Sequence, residues 1–150
     1  MQTRLLAEDG RLRTFAAVFS TGDDPVNGLK AFAAEHRITG AQLTGIGAFR
    51  RATIGYFDWD RKDYLRIEID EQVEVLALTG NLGVKDDGRA LHLHVVLGRR
   101  DGTTRGGHLL AATVRPTLEV IVTETPAHLT RRFDPDTGLA LIDLESGPQR

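Results

Sequence analysis

From residue 41 onward the chain is written in short alternating runs separated by tight turns. In "DYLRIEID" (63–70), Leu65, Ile67 and Ile69 fall on one side and Arg66, Glu68 and Asp70 on the other. That is the two-residue period of a strand with one face toward a core. "QVEVLALTGNLGV" (72–84) reads as a more buried strand, since Val73, Val75, Leu76 and Leu78 occupy both faces. "ALHLHVVLG", "GGHLLAATV", "TLEVIVTET" and a last pair around the turn "DPDTG" complete the series. "AQLTGIGAFRRATIGYFDWD" (41–60) is glycine-punctuated and alternating, as expected of a hairpin. Connections this short cannot make the crossovers that parallel strands need, so the sheet should be mostly antiparallel.

The first 40 residues differ. "RLRTFAAVFS" predicts a strand over about 11–20, closed by Gly22-Asp23-Asp24-Pro25. Asp24 suits a helix N-cap and Pro25 the first turn. Val26, Leu29, Phe32 and Ala33 then share one helical face, and Gly40 marks the stop. The expectation is an α+β fold: a mostly antiparallel sheet of about seven strands, flanked by one long helix and short helical segments. With 150 residues and no linker or repeat, a single domain over 1–150 is expected, its core about 11–145 and its tail 146–150 loose.

Bulk chemistry narrows the function classes. Net charge is −2, so no overall positive field holds nucleic acid or an anionic membrane. There is no cysteine, hence no disulfide and no thiolate metal site. The absence of any long apolar run or apolar N-terminal stretch fits a cytoplasmic setting without membrane contact.

Two of the five histidines sit one residue apart in "LHLH" (91–94), and a third follows Gly106-Gly107. On a strand, His92 and His94 share one face while Leu91, Leu93 and Val95 take the other. The turn "RRDG" (99–102) lets the chain reverse and bring His108 alongside. Three imidazoles can hold zinc and leave a fourth position open for water or a ligand. On spacing alone, the plainer reading places the pair on the solvent-facing polar side of a half-buried sheet, since short histidine motifs often arise without a metal. His36 near the helix end reads as structural and His128 as a surface residue. Glu74 and Glu119 lie on strands near this region. They are candidates for a general base or for orienting a ligating ring; the plainer reading is a partly exposed carboxylate paired with an arginine.

These stretches together resemble the PPC domain, named for its conservation in plants and prokaryotes. The likeness is carried by "EVLALTGNLGV" and by "LHLHVVLGRRDGTTRGGHLLAATVRPTLEVIVTE". "ITGAQLTGIGAFRRATIGYFD" and "RRFDPDTGLALIDL" extend it to roughly residues 11–145. The resemblance implies an antiparallel sheet flanked by helices, assembled as a homotrimer. It also implies a metal site at His92, His94 and His108, holding zinc or another divalent transition metal. It is similar to the prokaryotic stand-alone type: the Arg-Gly-Arg arms of plant AT-hooks are missing, and the only Arg-Gly, Arg105-Gly106, lies inside the core motif.

Three functions compete. The first is a metal-containing binding or regulatory module for a small molecule or protein. The second is a zinc-dependent enzyme activating water on a small carbonyl-type substrate. The third is a DNA-binding regulator, in which a trimer gathers Arg50-Arg51, Arg99-Arg100 and Arg131-Arg132 into a basic ring; the plainer reading of these pairs is solvated surface.

Overall fold

The computed structural model describes residues 1–10, 12–86, 88–125 and 127–145. Seven strands form one sheet: β1 (Gln2–Asp9), β2 (Leu12–Ser20), β3 (Ala41–Asp58), β4 (Asp63–Ile69), β5 (Val73–Lys85), β6 (Gly88–Gly98) and β7 (Thr104–Glu124). A separate hairpin pairs β8 (Arg131–Asp134) with β9 (Leu139–Ile142). Every strand ladder is antiparallel, as the short turns require.

The sheet runs β1-β2-β7-β6-β5-β3-β4, with β7 also pairing β3. Strands β3, β5, β6 and β7 therefore close on themselves as a ring. Its spine is the β3–β7 ladder, which extends from Ala41↔Glu124 to Gly55↔His108. Two expected breaks are absent here. Residues 41–58 are one long strand, whose hairpin partner β4 begins only at Asp63, and β7 passes straight through Pro116. Each strand holds the other in line. The ladder shifts register between Gly47 and Phe49, opposite Leu118 and Val114. Pro116 therefore sits in a bulge, where its missing N–H costs no ladder bond.

The helix α1 (Pro25–Glu35) forms where expected. The Asp24 side chain accepts a hydrogen bond from the Asn27 amide at 3.0 Å, and Pro25 fills the first turn. Leu29, Phe32 and Ala33 are buried and face the sheet. Arg37, at φ 55°, turns the chain out of the helix, and the Ile38 amide bonds back to the Ala33 carbonyl at 2.8 Å. Gly40, the expected stop, comes after the helix has already ended. The expected short flanking helices are not found among the described residues, because the connections are turns of a few residues.

β1 was not foreseen. It pairs with β2 at the sheet edge with every residue exposed, so it leaves no alternating burial pattern to read. The expected loose tail, 146–150, lies outside the described residues. No helix among the described residues is long and apolar enough to cross a membrane.

Candidate metal centre

The core sets the orientation of β6. Leu93 and Val95 are buried, and each such side chain contributes about 1.5–3 kcal/mol by leaving water. A slip of one residue would expose both and bury imidazoles instead. His92 and His94 are thereby held on the opposite face. His94 lies directly across from His108 on β7, and His92 across from Asn81 on β5. Directly opposed residues share a face, so all four side chains project from the same side.

The three imidazoles converge. Ring centroids are 5.0 Å apart for His92–His94, 5.2 Å for His92–His108 and 5.4 Å for His94–His108. One ring nitrogen from each lies within 4.8 Å of the other two, and the Nε2 atoms of His92 and His94 are 3.0 Å apart. Tetrahedral zinc with bonds of 2.0–2.1 Å needs nitrogens about 3.3 Å from one another. Small ring rotations cover the difference. The Nδ1 of His108 is buried without a hydrogen-bond partner among the described residues. The set supplies three nitrogen donors and no sulfur, which suits zinc and its neighbours in the first transition row.

Electrostatics keeps the rings ready to ligate. Burial pushes the pKa of His108 down to about 4, and His92, His94 and Arg131 act in the same direction. Burial also lowers His92, with Arg131 and then His94 adding to it. At neutral pH both are uncharged, the form that binds metal.

Neighbouring strands fix the ring of His108. Tyr64 of β4 stacks on it at 4.6 Å and 22°, and Phe57 backs Tyr64 edge-on at 5.4 Å. Gly55, opposite His108 in the β3–β7 ladder, makes the stack possible: a Cβ there would lie 2.7 Å from Tyr64 Cδ1. Gly107 serves the same junction, since a Cβ on it would meet the Gly55 carbonyl oxygen at 2.7 Å. The pair Gly106-Gly107 thus marks close backbone approach beside the histidines.

Arg131 escaped the sequence reading. Placed beside Arg132, it looked like surface, yet it is only 8% exposed. Its guanidinium donates to the Asn81 Oδ1 and, at 2.7 Å, to the Ala140 carbonyl. It therefore ties the β8–β9 hairpin to the residue facing His92. Tyr64 and Asn81 were also missed. The polar Asn81 within an apolar strand and Gly55 before an aromatic pair were the available signals.

The other candidates stand elsewhere. Glu74 and Glu119 are both exposed and line a common groove of about 400 Å³ with Ile46, Leu76 and Thr117. Glu74 lies five residues along β5 from Thr79, the residue opposite His94, which is roughly 16 Å of strand. Neither carboxylate bonds to a histidine among the described residues. His36 caps α1 and packs against Phe32 at 4.5 Å and Phe15 at 5.0 Å. His128 is exposed, beside the Thr39 hydroxyl.

A strand-rich α+β fold that presents three histidines from two adjacent strands defines a recognisable class. The chain belongs to the Plants and Prokaryotes Conserved (PCC) domain family, whose model matches residues 6–126. It is 38% identical to a metal-containing protein of Archaeoglobus fulgidus, with a TM-score of 0.81 and coverage of 95% of this chain and 99% of that one. A candidate DNA-binding protein of Bacteroides thetaiotaomicron is 31% identical, with a TM-score of 0.83 and coverage of 93% and 96%. The bifunctional protein GlmU of a Synechococcus strain is 31% identical over 139 residues. That match spans 91% of this chain but only 21% of GlmU, so the chain covers about a fifth of its curated relatives.

Proposed function

We propose that this chain is a metal-containing binding or regulatory module that assembles as a homotrimer. Zinc or another divalent transition metal would be held by His92, His94 and His108. The observation that carries the reading is the convergence of one ring nitrogen from each of His92, His94 and His108 to within 4.8 Å of the others. The name of the Archaeoglobus relative supports it. A bound metal would supply a Lewis-acidic centre with a free coordination position. The chain's own residues orient the rings: Tyr64 by stacking, and Leu93 and Val95 by anchoring the strand. The carboxylates of Glu74 and Glu119 stay apart from the histidines, which favours binding or regulation over hydrolytic chemistry.

Exposed Ile46, Leu76 and Ile121 line one groove and support assembly, because apolar side chains of this size gathered on a surface mark contact sites. A basic ring for DNA has weak support. Arg131 is buried, Arg99 pairs with Glu71 at 2.7 Å, and Arg132 pairs with Asp143 at 3.3 Å.

The test is metal content after purification and zinc dialysis, measured beside the mass in solution. About one metal per chain in wild type, lost in His92→Ala and His108→Ala, is expected. Equal content in wild type and variants would refute the metal reading, and a monomeric mass would refute the trimer.

A further inference from the structure

Among the described residues, the fixed charge that acts on His92 and His108 is a cation, Arg131. Arg131, always protonated, is buried at 8% exposure. Its guanidinium meets two neutral oxygens, those of Asn81 and Ala140, and its Nε has no partner among the described residues. Among the described residues no carboxylate lies within ion-pair distance of it. Among the described residues, Arg131 and His94 act on His92, and His92, His94 and Arg131 act on His108, with no acidic group among them. A buried cation without a counter-ion is costly, and removing water strengthens its demand for one. Imidazole side chains add no negative charge. A divalent ion among them would raise the local charge from one to three, with nothing in the described chain to offset it.

We propose that the free position over the three histidines takes a small oxyanion, a carboxylate or a phosphate, and that Arg131 is the fixed charge that selects it. Asn81 carries this selectivity to the site, because it receives the Arg131 guanidinium and stands directly across from His92. Arg131 is then a specificity-determining residue rather than only a tie for the C-terminal hairpin. The inference rests on the metal reading above.

The experiment uses the whole chain loaded with cobalt(II), whose visible spectrum reports coordination. Acetate, inorganic phosphate and neutral imidazole are titrated separately into wild type, Arg131→Lys and Arg131→Met. At least one of the two anions is expected to saturate a spectral change in wild type, and which one does so identifies the oxyanion class. Removing the charge in Arg131→Met should weaken that anion about tenfold or more, while Arg131→Lys stays within about threefold. Imidazole should bind all three proteins alike. Equal anion affinity in wild type and Arg131→Met would overturn the proposal, as would a parallel loss for imidazole, the sign of a merely loosened fold. If Arg131→Met does not fold, wild type decides: imidazole preferred over both anions overturns it. Failure of wild type to bind cobalt at all strikes the metal reading itself, and this inference falls with it.

Discussion

Acid should destabilise the metal-free protein through His108. Its folded pKa, about 4, lies below the usual histidine value of about 6.5 because burial disfavours the charged ring. The unfolded chain therefore takes up the proton first. The stability tied to the neutral ring is complete above about pH 6.5 and drains away as the pH falls toward 4. From pH 8 to pH 4.5, a full shift from 6.5 to about 4 costs about 2.5 kcal/mol. His108 is only half-buried, so solvent screening reduces the expected loss to about 1.5 kcal/mol. The assay is urea unfolding in chelator at pH 8, 6 and 4.5, at one fixed protein concentration. His108→Gln removes the titrating ring but keeps a polar side chain. Wild type should lose about 1.5 kcal/mol more than the variant across this range. Identical pH dependence in the two proteins would show that the ring is not desolvated, and the electrostatic account of the site would fail.

Gly55→Ala places a Cβ 2.7 Å from Tyr64 Cδ1; it should destabilise by about 1–3 kcal/mol and unstack the ring from His108, visible as a changed His108 imidazole signal in NMR. Tyr64→Phe should leave zinc affinity within about twofold and Tyr64→Ala should weaken it several-fold, since stacking rather than the hydroxyl holds the ring; calorimetric titration distinguishes them. Leu76→Asp, at an exposed apolar position, should shift the sedimenting mass from three chains toward one while the folded circular dichroism spectrum is retained.

The strand grammar was legible because burial alternates: Leu93 and Val95 point inward, and so His92 and His94 had to point outward. Helix α1 was legible for the same kind of reason, with a cap, a proline and an apolar face in register. The continuity of β3 and β7 was hidden, because only their mutual pairing carries each strand through a bulge that locally resembles a break. β1 was hidden because its contacts are backbone bonds along an exposed edge. At the site, the two-residue spacing and the Gly-Gly pair announced the histidines. Tyr64 depends on a ring lying over a glycine one strand away. Arg131 depends on a hairpin folding back onto β5, and no local pattern around "RRF" encodes that.

X-ray absorption at the zinc edge of the zinc-loaded protein reads the coordination shell directly. Three imidazole nitrogens at about 2.0–2.1 Å, with the multiple-scattering pattern of histidine rings, are predicted for wild type, falling to two in His108→Gln. A shell of oxygen scatterers without imidazole signatures, unchanged by that substitution, would contradict the shared site of His92, His94 and His108.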